Sequence, residues 1–173
     1  SFRVRATLVA SAAEHYSADA GHGSAFTFII SYNERICKYT IRAKRYKNRS
    51  LTNTAKNAII ELSEKVMSDE MFFRNGNGGV TLSGGECLAQ PEFAVALAKK
   101  FREHCVNVDI DTCGNVERGT LEQIIPYTDT FLYDIKAVDP EVHRRCTGRG
   151  NSLILGNLQY LSERGCRIEI RYP

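Results

Sequence analysis

GGVTLSGGECLAQPEF, Gly78 to Phe93, is the stretch from which the fold is read. Val80-Thr81-Leu82 reads as a short buried strand, and the Gly84-Gly85 pair lets the backbone turn sharply after it. Pro91 stands where a helix starts without losing a needed N–H, and Phe93, Leu97 and Phe101 then recur at i, i+4 and i+8 on one helical face. Downstream, the alternation of Val106, Val108 and Ile110 predicts a second strand over 106–110. A helix over Glu117 to Ile125 is closed by Pro126, and a third strand follows at Thr130 to Ile135. Asn151 is placed to cap a helix presenting Leu155, Leu158 and Leu161 that ends near Gly165, and Arg167 to Tyr172 predicts a fourth strand. Upstream, Ile59, Leu62, Val66 and Met67 share one face of a helix over Thr54 to Met67, and NGNGG (Asn75 to Gly79) breaks the chain before the first strand.

Strands alternating with helices about every 25 residues indicate a parallel sheet built from right-handed β-α-β crossovers. The expected fold class is α/β, and four such strands make an open sheet or part of an incomplete parallel (β/α) barrel. A last strand running into Pro173 with no helix after it points to a fragment of a larger domain.

Composition supports a globular domain. In 173 residues, 43% are hydrophobic and 25% charged, which excludes a disordered tail or a collagen-like chain. No run approaches the ~18 apolar residues of a membrane span. The opening SFRVRATLVASAAEHYSA imitates a signal peptide, but its apolar run is too short and too broken. The first residue is Ser, which leaves processing or truncation upstream open.

The net charge of +3 hides two unlike parts. Residues 1–52 carry nine Lys/Arg against three Asp/Glu, whereas residues 53–173 carry fourteen against seventeen. Two domains are drawn on this division: 1–52, an unassigned basic segment, and 53–173, the partial (β/α) core. Within the first, Phe26 to Ile30 and Ile36 to Ile41 are strand-like, and seven Lys/Arg crowd Arg35 to Arg49 with Tyr39 and Tyr46 among them. Such a run can contact nucleic acid, but nothing else in the chain supports that chemistry, so it is read as a solvated basic segment. Cys37, Cys87, Cys105, Cys113, Cys146 and Cys166 are scattered over separate elements of a chain large enough to fold without staples. That predicts reduced thiols and a cytoplasmic location.

Functional groups in a parallel sheet gather at the carboxyl ends of its strands. Ser83-Gly84-Gly85-Glu86, Asp111-Thr112-Cys113-Gly114 and Asp134-Ile135-Lys136 each follow or end a strand, with Arg171 at the end of the fourth. Paired glycines expose backbone N–H and C=O groups, and Glu86 adds an acceptor for an ammonium or hydroxyl. Asp111 and Asp134 are candidates to hold a cation or amino group between them, and Lys136 to pair a carboxylate. A zwitterionic amino-acid ligand satisfies both signs. No triad is in evidence around His15, His22, His104 and His143, and His104 ends a helix, where a cation suits the dipole.

Gly78 to Phe93, DIDTCGN (Asp109 to Asn115), FLYDIKAVDPEVHRRCTG (Phe131 to Gly148) and RIEIRYP (Arg167 to Pro173) together resemble the activating enzymes of glycyl radical enzymes. These are radical S-adenosylmethionine (SAM) proteins of the pyruvate formate-lyase activating enzyme type. The resemblance covers about residues 53–173 and implies a partial (β/α)₆ barrel. It implies that Ser83, Gly84, Gly85, Glu86, Asp111, Thr112, Asp134 and Lys136 bind SAM, with the GGE motif at the methionyl amino group and Asp111 and Asp134 on a monovalent cation. The implied activity is reductive cleavage of SAM to place a radical on a backbone glycine of a partner enzyme, with an electron donor such as flavodoxin. Hydrogen abstraction from a weak Cα–H bond needs positioning more than acid or base groups, and no catalytic side chain is assigned.

Two departures stand out. Relatives carry Pro after GGE, where this chain has Cys87, which predicts a looser loop. They also hold a [4Fe–4S] cluster through CxxxCxxC after the first strand. No such spacing exists here, and no iron–sulfur ligands are identifiable. A truncated or rearranged gene explains this, favoured by the composition break near residue 52. So does a non-catalytic derivative that binds a SAM-like nucleotide or a partner protein.

Overall fold

The computed structural model describes residues 25–31, 39–44, 53–68 and 79–172. The signal-like start, His15, His22, Cys37, the glycines before residue 79 and the basic run 35–49, apart from one strand's backbone, lie outside these residues.

One six-stranded sheet organises the chain. In chain order the elements are β1 (Ala25–Ser31), β2 (Tyr39–Lys44), α1 (Asn53–Met67), β3 (Gly79–Ser83), α2 (Pro91–Glu103), β4 (Asn107–Thr112), α3 (Arg118–Ile124), β5 (Thr130–Asp134), α4 (Pro140–Thr147), α5 (Ser152–Glu163) and β6 (Ile168–Arg171). The strand order is β2-β1-β3-β4-β5-β6. The last four strands are mutually parallel, as the sequence predicts. Both strand-like stretches of the first third contain strands, over Ala25–Ser31 and Tyr39–Lys44. They pair antiparallel, and β1 lies antiparallel against β3 with Ile29 opposite Ser83. Residues 25–28 therefore run past the carboxyl end of β3 and flank the rim.

Register and the two-residue period of a strand sort the parallel sheet into two faces. Val80, Val108, Leu82, Ile110, Phe131 and Tyr133 occupy one face, all buried. The helices cover this face with Phe93, Leu97 and Phe101 from α2, Leu121 and Ile124 from α3, and Leu161 from α5, joined by Ile59, Leu62 and Val66 of α1. Each such side chain contributes about 1.5–3 kcal/mol by leaving water. The opposite face carries Thr81, Ser83, Asp109, Asp111, Leu132, Asp134, Glu169 and Arg171, which are half-buried.

Helix ends follow their local chemistry. Pro91 opens α2, with Glu92 in its first turn and Lys100 and Arg102 in its last, each sign complementing the helix dipole. Arg102 reaches both carboxylate oxygens of Asp129 (2.6 and 2.8 Å), and Asp129 also accepts from the Val108 N–H, tying α2 to the starts of β4 and β5. His104 is the residue that closes α2.

Three expectations need correction. β4 continues through Asp111 and Thr112, which are strand residues rather than the loop beyond it. Backbone pairing of Asp111 with Leu132 and of Thr112 with Tyr133 holds them in the ladder. Asn151 stands at the start of α5 but its side chain does not cap that helix, because its amide is turned onto the Ala137 and Val138 carbonyls of the loop between β5 and α4. The helix α4 was not foreseen. It is capped by Asp139, which accepts from the Glu141 and Val142 N–H groups, begins at Pro140 and ends on left-handed Gly148.

Candidate ligand-binding rim

Parallel pairing brings the carboxyl ends of β3, β4, β5 and β6 to one rim. Ser83 and Asp111 end up on the same polar face, and the Ser83 hydroxyl donates to Asp111 Oδ2 at 2.8 Å. Arg171, from the end of β6, donates through its terminal nitrogen to Asp111 Oδ1. Asp134 pairs with Lys136 at 2.7 Å, and the Lys136 side chain is 52% exposed. The rim thus presents two ion pairs, Asp111–Arg171 with both members half-buried and Asp134–Lys136 with its cation exposed. Sequence reasoning left Arg171 as an end point, and the structure makes it the partner of Asp111.

The glycine turn above β3 needs its composition. Gly84 and Gly85 have φ of 112° and 56°, values at which a side chain meets its own backbone. Glu86, next in line, is not presented outward. Its carboxylate accepts from the Thr112 hydroxyl (2.8 and 2.9 Å), the Cys113 N–H (3.1 Å), the Cys113 thiol (3.1 Å) and the Leu88 N–H (3.1 Å). Thr112 is buried on the face opposite Asp111, where its oxygen accepts from the Gly114 N–H. Glu86 and Thr112 therefore lock two rim turns together, while Ser83, Asp111, Asp134 and Lys136 remain on the ligand side. Cys87 is buried and its thiol donates to the Asp111 carbonyl at 3.2 Å, tying down the turn that the missing proline was expected to loosen.

Burial pushes the Cys87 thiol well up, and the neighbouring Glu86 and Asp111 charges add to the effect. Cys113 is pushed up to about 11 by burial and by Glu86. Both thiols are held in the protonated form, which makes them weak nucleophiles. Below the rim, burial raises the Asp109 carboxyl against the opposing pull of Thr130.

Other groups support the rim from beneath. Asn157 of α5 donates to the carbonyls of Gly114 and Val116, both at 2.8 Å, and Tyr133 donates to the Ile154 carbonyl at 2.7 Å. His143 is buried, with Nδ1 2.9 Å from the Arg149 carbonyl, a structural use that suits its absence from any triad. A groove of about 290 Å³ between α5 and β6, lined by Leu155, Leu158, Ile168 and Ile170, is apolar and contains none of the predicted site residues.

Among the described residues no three His, Cys, Asp or Glu side chains gather as a metal site. Asp111 and Asp134 each already face a cationic side chain, so a monovalent cation held between them has to displace Arg171 and Lys136. No helix of the described residues is long and apolar enough to cross a membrane.

A profile of the Radical SAM superfamily matches residues 35–173, starting upstream of residue 53. The choline trimethylamine-lyase activating enzyme of Oleidesulfovibrio alaskensis is 43% identical over 115 residues, 66% of this chain and 37% of that protein. The trans-4-hydroxy-L-proline dehydratase activating enzyme of Clostridioides difficile is 39% identical over 117 residues, 67% of this chain and 39% of that protein. A crystallised domain of the pyruvate-formate lyase-activating enzyme from Bacteroides vulgatus superposes with a TM-score of 0.52 at 30% identity, covering 55% of this chain and 59% of that one. The chain thus spans about two fifths of the length of the curated relatives it matches.

Proposed function

The chain belongs to the radical SAM superfamily, and from that premise we propose that its rim is the SAM-binding part of an activating enzyme for a glycyl radical enzyme. The observation that carries the reading is the pairing of charges at the strand ends: a carboxylate and an exposed ammonium at Asp134 and Lys136, beside a glycine turn that bares its backbone. A methionyl group is a zwitterion and matches both. Lys136, the most exposed charge of the set, takes the carboxylate. With the Glu86 carboxylate already occupied by four protein donors, the amino group falls to the carbonyls of the Ser83 to Gly85 turn and to Asp111. Ser83 and Arg171 hold Asp111 in place as an acceptor.

When bound, SAM supplies the deoxyadenosyl group that, in this family, removes a hydrogen from the partner's glycine. The chain's residues bind and orient it. The proposed partner is a glycyl radical enzyme, as the names of the relatives indicate for those proteins, with a flavodoxin-like electron donor. The cytoplasm is the proposed setting, on the strength of free cysteines at 87, 105, 113, 146 and 166.

The family's iron–sulfur cluster does not fit the residues described. The five described cysteines lie on separate elements. This favours a second reading, in which the chain binds SAM or a partner protein without redox chemistry. Anaerobic reconstitution with iron and sulfide, followed by dithionite and SAM, separates the two. 5′-Deoxyadenosine among the products sustains cleavage. Protein that takes up no iron and yields none, yet binds SAM, leaves the binding module. Failure to bind SAM overturns the first reading and the nucleotide-binding form of the second.

A further inference from the structure

We propose that Asn151 and Asn157, two buried side chains of one helical segment, are positioning residues that set the two charged loops of the rim relative to each other. Asn151 is 2% exposed and Asn157 0%. Asn151 Nδ2 donates to the carbonyls of Ala137 (3.1 Å) and Val138 (2.7 Å), immediately after Lys136. Asn157 Nδ2 donates to the carbonyls of Gly114 and Val116 (both 2.8 Å), immediately after Asp111 and Thr112. Each amide therefore uses both hydrogens on one loop, and the two loops are the one that leaves β4 after Asp111 and Thr112 and the one that carries Lys136. Reversing either amide points its oxygen at two carbonyl oxygens, so the carbonyls fix its orientation.

Both residues break a local rule to do this. Asn151 occupies the position from which an asparagine usually caps a helix and gives up that bond. Asn157 lies on the buried stripe of α5 between Ile154 and Leu161, where an apolar residue packs better, and its Oδ1 has no partner. A buried acceptor left unpaired is a cost. The local penalties and the four donated bonds have one common effect: α5 fixes the distance between the two sides of the rim. A buried, fully oriented amide is suited to that, since it loses no bonds to competing water.

The proposal rests on the reading that the rim binds SAM, and the test separates the two. Asn151→Asp and Asn157→Asp keep the shape but present oxygens to the carbonyls. Asn151→Ser and Asn157→Ser keep one donor without adding charge. In the unliganded full chain, hydrogen exchange followed by mass spectrometry is expected to speed up about ten-fold in residues 136–139 for the Asn151 variants and in 113–117 for the Asn157 variants, each leaving the other loop unchanged. Unchanged exchange, or equal acceleration across the whole sheet in the Asp and Ser variants alike, overturns the proposal. The second readout is SAM affinity by calorimetry. If Asn151 acts through Lys136, Asn151→Ser weakens binding about ten-fold in the wild-type background and less than about two-fold beside Lys136→Ala. Equal losses in both backgrounds mean a merely structural role and overturn it. Wild-type protein with no SAM affinity refutes the reading of the rim instead, and the exchange data still decide the clasp.

Discussion

Gly114→Ala is the most informative single substitution in the rim. Gly114 has φ of 71°, and a Cβ built on it lies 1.6 Å from the Tyr133 hydroxyl and 2.2 Å from its Cζ. Left-handed geometry costs a non-glycine residue about 1–2 kcal/mol. Tyr133 is fully buried and cannot swing into solvent, so the ring has to shift within a packed core, which costs about 1–3 kcal/mol more. That shift also breaks the 2.7 Å bond to the Ile154 carbonyl, and stranding the buried Tyr133 hydroxyl costs about 1–3 kcal/mol. The expected loss is about 3–8 kcal/mol, a large part of the ~5–15 kcal/mol that holds a typical domain together. In urea, with a slope of about 2 kcal/mol per M, the unfolding midpoint falls by about 1.5–4 M. Because Tyr133→Phe removes the nearest atom and the bond at once, the added cost of Gly114→Ala shrinks by about 1 kcal/mol in that background. A Gly114→Ala protein within about 1 kcal/mol of wild type refutes the reasoning.

Further expectations concern single groups. Cys105 is a non-glycine residue at φ 58° just past the end of α2, so Cys105→Gly should raise the urea midpoint, corresponding to a gain of about 0.5–1 kcal/mol. Asp109 has its carboxyl raised by burial. Its stabilising contribution is therefore present in full below the unfolded-state value and is lost as pH rises through the folded one. Asp109→Asn should gain on wild type in urea melts from pH 4 to pH 7, and a constant difference contradicts the assignment. Alkylation at pH 8 should modify exposed Cys105 and Cys146 before Cys87 and Cys113, whose thiols are held protonated. Peptide mass spectrometry showing Cys113 labelled first would sink that argument.

The parallel sheet was legible because its signals are local. Val106, Val108 and Ile110 alternate, and Phe93, Leu97 and Phe101 recur at helical spacing, and all six are buried. The helix α4 escaped because it has no apolar stripe: its Val142 and Cys146 are both exposed. Its signal was punctuation, Asp139-Pro140 at one end and Gly148 at the other. The pairing of β1 with β3 was not legible, since strand partnership is decided by distant residues. Of the rim, the strand-end rule picked out Glu86, Asp111, Asp134 and Lys136 and passed over Arg171, and composition does not reveal who occupies a carboxylate. Glu86 looked like a ligand group and is satisfied internally, and Thr112 faces away from Asp111 because adjacent strand residues alternate. Asn157 had a readable signal, a polar residue three after Ile154 and four before Leu161, on a stripe that is otherwise apolar.

The rim as a SAM site is tested most directly by equilibrium titration of the full chain with SAM, beside Asp111→Ala and Lys136→Ala. Lys136 is the exposed cation assigned to the ligand carboxylate and Asp111 the acceptor assigned to its amino group, so saturable binding by the wild-type chain is predicted to weaken about ten-fold or more in each variant, as loss of a charge-assisted contact of about 1.5–3 kcal/mol requires. Wild-type binding that neither substitution changes would contradict the account.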